Sequence, residues 1–276
     1  MTDTVSANGA EIPVIGLGTW QLRGEVATRC VAAALDIGYR HIDTATMYDN
    51  EAAVGEGIRG HSVPREEVFV TTKVWPTDAA EGALQRSAEA SLGRLGLDRI
   101  DLLLIHWPNR EVSIAEQVGA LCDAKRRGYA RHVGVANFPP GMLRQALAAA
   151  TEPLVCNQVE HHPLLDQTRL LEACRAAGMA LVSYSPLGKG TLVSDPVIGE
   201  IAAAKERTPA QVILRWHLQQ PMNAAIPRSS KPARLAENFA VFDFALTPAE
   251  MARISGLARP DGRMVRLGGA EPDWNA

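Results

Sequence analysis

Six side chains able to move protons or to hydrogen-bond a polar ligand each close a short apolar run: Asp43, Lys73, His106, Asn137, Gln158 and Tyr184. Tyr48 follows closely after Asp43. A lysine and an aspartate are each costly to bury alone, whereas facing one another they pair. Such a pair also occurs as plain structure, so by itself it names no chemistry. Tyr48 and His106 change that. A tyrosine hydroxyl with a reference pKa of about 10 is a poor acid at neutral pH. A lysine ammonium beside it is expected to lower that pKa, so that the hydroxyl delivers a proton to a developing alkoxide. A neutral imidazole at His106 would hydrogen-bond and orient the same carbonyl. Taken singly, His106 reads equally as a satisfied core histidine. A second reading makes Lys73 a Schiff-base nucleophile of an aldolase-like site, which would have no need of Tyr48.

The elements that must hold these groups are short and regular. Candidate strands fall at 15–18, 41–43, 69–73, 100–106, 132–136, 155–160, 180–184 and 224–227. Several are almost wholly apolar, as in Leu102-Leu103-Leu104-Ile105, which suits parallel strands covered on both faces. Helices lie between them. Ser113-Ile114-Ala115-Glu116, Thr208-Pro209-Ala210-Gln211 and Thr247-Pro248-Ala249-Glu250 fit the capping box, the last two with Pro at the first helical position. Leu84, Ala88, Leu92 and Leu95 keep helical spacing, and Gly38, Gly96, Gly128 and Gly178 stand where helices should stop. Strands alternating with helices give parallel crossovers, and eight such units predict a closed (β/α)8 barrel with its chemistry at the C-terminal strand ends. An open doubly wound sheet would show GxGxxG after the first strand; Gly16-Leu17-Gly18-Thr19-Trp20 does not. No linker is visible, so residues 1–276 are expected to form one domain.

Composition narrows the class. The 276 residues are 46% apolar and 21% charged, with 28 Lys and Arg against 31 Asp and Glu for a net charge of −3. That balance leaves no basic excess for a nucleic-acid backbone. There is no apolar run of about 20 residues to span a bilayer and no secretory signal pattern at the N-terminus, so a cytoplasmic protein is expected. Cys30, Cys122, Cys156 and Cys174 form no metal-ligand spacing and are read as buried thiols. His161 and His162 are neighbours on one strand and face opposite ways, so no metal site is expected.

Longer motifs carry a resemblance. The stretches Gly16-Leu17-Gly18-Thr19-Trp20, Gly38-Tyr39-Arg40-His41-Ile42-Asp43-Thr44-Ala45, Tyr48-Asp49-Asn50-Glu51, Thr71-Thr72-Lys73-Val74-Trp75 and Asp101-Leu102-Leu103-Leu104-Ile105-His106-Trp107-Pro108 resemble the aldo-keto reductase superfamily. So do Gly134-Val135-Ala136-Asn137-Phe138, Asn157-Gln158-Val159-Glu160-His161-His162-Pro163 and Tyr184-Ser185-Pro186-Leu187-Gly188. The motifs run in order over almost the whole chain. The nearest subgroup is that of bacterial 2,5-diketo-gluconate reductases that also act on methylglyoxal, on Tyr48 to Gly55 and the tail Glu271-Pro272-Asp273-Trp274.

The resemblance implies an α/β TIM barrel with a short N-terminal β-hairpin cap and a catalytic tetrad of Asp43, Tyr48, Lys73 and His106. Tyr48 would be the general acid, Lys73 and Asp43 its tuning pair, and His106 the carbonyl-orienting group. NADPH would bind along Gly18, Thr19, Trp20, Asp43, Asn137, Gln158, Tyr184, Ser185 and Leu187. Its phosphate and adenine would meet Arg228, Ser229, Ser230, Arg234, Glu237 and Asn238, although spacing alone reads that loop equally as a solvated charge cluster. Trp20, Trp75 and Trp107 would join Tyr48 and His106 around the substrate, a small carbonyl compound; core burial is their other reading. The family's usual Ser is Ala136 here, which should loosen the cofactor slightly, and its usual Lys is Arg228. Only Asn109-Arg110-Glu111-Val112 separates the fourth strand from its helix, predicting an open, shallow pocket unless the tail from Arg263 to Trp274 covers it. A monomer is implied. The alternative function is a cofactor-binding redox sensor with little turnover.

Overall fold

The computed structural model describes residues 3–274. Strands β1 (Thr4–Ala7) and β2 (Ala10–Pro13) form an antiparallel hairpin. Its Asn8-Gly9 turn has positive φ at both residues, 45° and 87°, the backbone that matches strand twist. Eight parallel strands follow: β3 (Leu17–Gly18), β4 (His41–Asp43), β5 (Phe69–Val74), β6 (Ile100–Ile105), β7 (Ala130–Ala136), β8 (Leu154–Glu160), β9 (Ala180–Tyr184) and β10 (Asn223–Ala225). The helices are α1 (Gly24–Ile37), α2 (Glu51–Arg59), α3 (Ala83–Leu95), α4 (Ile114–Arg126), α5 (Pro140–Ala149), α6 (Thr168–Ala176), α7 (Pro196–Lys205), α8 (Pro209–Leu218), α9 (Pro232–Phe239) and α10 (Pro248–Ser255). Among them no helix is long and apolar enough to cross a membrane.

The strands pair in sequence order from β3 to β10, and the barrel closes where Gly16 N–H donates to Ala225 O at 2.9 Å and Gly18 N–H to Pro227 O at 3.0 Å. This seam accounts for the glycines. A Cβ on Gly18 would stand 2.8 Å from the Ile226 carbonyl oxygen, and one on Gly16 2.8 Å from the His41 ring. Side chains alternate across the wall. Leu102 and Leu104 point into the barrel with Ala136, Cys156 and Val182, while Leu103 and Ile105 pack under the helices. The hairpin adds Ala7, Ala10 and Ile12 to the inner cluster, and Asn8 Nδ2 donates to Leu154 O and Ala177 O at 2.8 and 3.0 Å. It plugs the end opposite the C-terminal strand ends. Thr208 and Thr247 form complete capping boxes. Ser113 accepts from Glu116 N–H, but Glu116 turns its carboxylate toward Glu81 N, so that box is half made.

One buried residue of this scaffold carries a pH prediction. His217 Nε2 lies 3.2 Å from Pro186 O, and Asn223 Nδ2 faces Nδ1 at 3.3 Å. Burial pulls its pKa down to about 3. Between there and the ordinary value near 6.5, the unfolded chain takes up a proton that the folded chain refuses. Stability therefore falls as pH drops below about 6.5, by ~1.4 kcal/mol per pH unit from this group alone. His217→Gln should flatten the slope of urea midpoint against pH between 6.5 and 4 by about that amount; an unchanged slope would mean that His217 is not the titrating group.

Candidate active site

The C-terminal ends of β4, β5 and β6, with the turn that follows β4, bring Asp43, Tyr48, Lys73 and His106 together. Lys73 spends all three of its N–H donors. They go to Asp43 Oδ1 at 2.6 Å, the Thr44 carbonyl at 2.8 Å and the Tyr48 hydroxyl at 3.3 Å. Gln158 Nε2 occupies the other Asp43 oxygen at 2.8 Å. Lys73 is fully buried and Asp43 nearly so, hence the pair is held by three specific partners, Thr44, Tyr48 and Gln158, rather than by solvent. Because Lys73 donates to the Tyr48 oxygen, the phenol's own proton is free to point elsewhere. Tyr48 reaches this position on a 3-10 turn at Thr46–Tyr48, which Thr46 ties to β5 by donating Oγ1 to Lys73 O at 3.0 Å.

Electrostatics set the proton states. Burial first, and the Asp43 carboxylate second, hold the Tyr48 phenol well above its usual range. The sequence expectation is a lowered value; the buried phenol is instead held high by burial and by Asp43. The resting group is a neutral phenol with its proton in place. Burial, then Lys73, push His106 well below the usual histidine value, so its ring is neutral. Burial also pulls the Lys73 ammonium down, against the opposing pull of Asp43. His106 Nδ1 is buried with no partner among the described residues. A buried bare lone pair is less costly than a buried N–H, which favours the tautomer with its proton on Nε2.

Aromatic rings surround this centre. Tyr48 meets Trp20 at 4.9 Å and His106 edge-on at 5.6 Å between ring centres; Trp75 meets His106 at 5.2 Å. Trp20 is 43% exposed and Trp107 is buried, so the three tryptophans share the mouth without sharing an environment. The tail does reach this rim: Trp274 packs edge-on against Trp107 at 6.5 Å.

The remaining expected contacts divide. Asn137, at φ 63°, donates Nδ2 to His106 O at 2.9 Å and accepts from Tyr184 OH at 2.8 Å. It thereby joins β7, β9 and the His106 backbone. Asn137 and Gln158 each retain one amide N–H and a carbonyl lone pair for a ligand. Thr19 Oγ1 donates to Asp43 O at 2.9 Å. Ser185, at φ 49°, and Leu187 are half-buried beside Tyr184. Arg228, Ser230 and Arg234 are exposed, with Lys231 between them, and the only hydrogen bond of the Arg228 side chain among the described residues is Nε to Trp20 O at 3.1 Å. Lys231 and Arg234 form no ion pair among the described residues. Ser229 Oγ accepts from Lys231 N–H at 3.1 Å, at the start of α9. Glu237 accepts from Thr208 Oγ1 at 2.6 Å, and Asn238 is buried. Gly18 lies in the barrel seam. His161 and His162 go to separate partners, Ser183 and Glu160, both at 3.0 Å.

Sequence reasoning passed over Thr44, whose carbonyl completes the Lys73 shell, and gave Glu160 no role. Strand alternation offered a signal for the second: Gln158 reaches into the barrel, so Glu160, two residues on, presents the same side at the rim.

The fold and these motifs have counterparts. Residues 14–259 match the aldo/keto reductase family model. An aldo-keto reductase of Mycobacterium avium (strain 104) is 45% identical over 256 residues, 92% of this chain and 89% of its own length. Methylglyoxal reductase DkgB of Yersinia pestis is 41% identical over 96% of this chain and 99% of its own. The crystal structure of a candidate 2,5-diketo-D-gluconic acid reductase B superposes with a TM-score of 0.97 at 44% identity, covering 100% of this chain and 98% of that one. The chain belongs to the aldo/keto reductase family.

Proposed function

We propose that this chain reduces small aldehydes, 2-oxoaldehydes or diketo acids to alcohols with NADPH as reductant. One observation carries the reading: a neutral Tyr48 phenol accepts from a buried, fully coordinated Lys73 ammonium, beside a neutral His106. A carbonyl oxygen near both rings would take one hydrogen bond from His106 Nε2–H and one from Tyr48 O–H. As negative charge develops on that oxygen, Tyr48 gives up its proton, and Lys73 stabilises the phenolate left behind. Asp43 and Gln158 keep Lys73 in place throughout. Trp20, Trp75 and Trp107 shield the reacting oxygen from water.

When bound, the nicotinamide supplies hydride to the carbonyl carbon. The residues present suit such a dinucleotide. The spare amide groups of Asn137 and Gln158 match a carboxamide, and the half-buried Tyr184 ring offers a flat face. Ser185 and Leu187 continue that edge. Arg228, Ser229, Ser230 and Arg234, with Lys231 and Arg234 at the start of α9 forming no ion pair among the described residues, match a terminal phosphate.

The 2′-phosphate tests the cofactor assignment. Arg234→Ala should weaken NADPH binding by ~1.5–3 kcal/mol, the worth of a hydrogen bond to a charged group, and leave NADH nearly unchanged. Fluorescence titration of both dinucleotides measures this. Equal losses for the two would remove Arg234 from the phosphate site.

A further inference from the structure

Glu160 ends β8 as a fully buried carboxylate. Its Oε1 accepts from His162 Nε2 at 3.0 Å and from Met264 N–H at 2.7 Å. Its Oε2 accepts from Val265 N–H at 3.0 Å and stands 3.7 Å from the Arg263 guanidinium. Three of these four partners belong to the C-terminal segment. Burial alone would raise the Glu160 pKa, yet the bonds from His162, Met264 and Val265 hold it below the usual range. A buried charge kept ionised by one segment ties that segment firmly to its place.

The contacts continue outward to the mouth. The Arg263 guanidinium lies 3.6 Å from the Trp274 ring centre, and Trp274 meets Trp107, the residue after His106. Arg110, on the short loop after β6, donates to the Glu271 carbonyl, and Lys189 Nζ donates to Met264 O at 2.8 Å. No other carboxylate among the described residues accepts from the 263–265 backbone.

We propose that Glu160 is a positioning residue for substrate selection: it latches the C-terminal segment through Met264, Val265 and Arg263, and so sets Trp274 as a wall of the pocket. The selection half of this rests on the carbonyl-reductase reading above; the latch itself does not. With the wall in place, an aromatic aldehyde gains apolar contact that methylglyoxal is too small to use.

Glu160→Gln tests it, because the amide offers N–H where a backbone N–H needs an acceptor. Hydrogen exchange at Met264 and Val265 should quicken at least ~10-fold, as expected when a charged acceptor is lost. The kcat/KM ratio of a bulky aromatic aldehyde to methylglyoxal should fall at least ~5-fold through the aldehyde's KM, with kcat on methylglyoxal within ~2-fold. Trp274→Ala should lower the ratio equally while leaving exchange at Met264 and Val265 unchanged. Unaltered exchange in Glu160→Gln overturns the latch; faster exchange with an unaltered ratio overturns the role in selection. If Glu160→Gln does not fold, Arg263→Met decides the selection half by the same ratio, and hydrogen exchange in the wild-type protein decides the latch: Met264 and Val265 amides as open as unstructured chain would overturn it. If the wild-type enzyme reduces neither carbonyl, the functional reading fails, and the exchange measurement still judges the latch.

Discussion

Tyr48→Phe should bind NADPH as the wild-type protein does while kcat falls by ~10²–10⁴-fold, the usual range for losing a general acid. The substitution removes only the phenolic oxygen. The ring contacts to Trp20 and His106 persist, so the pocket keeps its shape. Lys73 loses one of its three acceptors but keeps Asp43 and the Thr44 carbonyl. An equal fall in kcat and kcat/KM would place the hydroxyl in the transition state alone. Near-normal turnover on a poorly activated aldehyde would mean that the proton comes from another group, and the neighbouring His106 would be the first to examine.

Lys73→Met should destabilise the fold by ~3–5 kcal/mol, because it leaves the Asp43 charge buried without its counter-ion. The Asp43 carboxylate accepts from Lys73 and Gln158 alone among the described side chains, and a single amide cannot replace an ammonium. The further substitution Asp43→Asn should recover part of that loss by removing the stranded charge, which urea unfolding of the two variants will show. A single variant as stable as wild type would imply that the fold does not depend on the Lys73–Asp43 pair.

Much of this arrangement is legible in the chain because barrel chemistry gathers at strand ends. Asp43, Lys73, His106, Asn137 and Gln158 each sit within two residues of the ends of β4 to β8, where reading the apolar runs puts them. Caps were legible where both partners are local, as at Thr208 and Thr247. Three features were not. Gly18 must lack a side chain because the Ile226 carbonyl, just past β10 and more than 200 positions on, would stand 2.8 Å from its Cβ, and Gly16 because the His41 ring would stand equally close. The sign of the Tyr48 shift turns on how dry the site is, and sequence gives neighbours without giving solvent access. The Glu160 latch joins residues 104 and 105 positions apart through backbone amides, which no side-chain pattern encodes.

The central claim is that hydride from NADPH and a proton from Tyr48 convert a carbonyl to an alcohol. The most direct test incubates the purified protein with NADPH and methylglyoxal, following dinucleotide absorbance while quantifying product. The account predicts steady NADPH oxidation with one hydroxyl-bearing product per NADPH consumed, and loss of both signals together in Tyr48→Phe. Bound NADPH that is never oxidised beyond a single equivalent, or oxidation without alcohol, would contradict it.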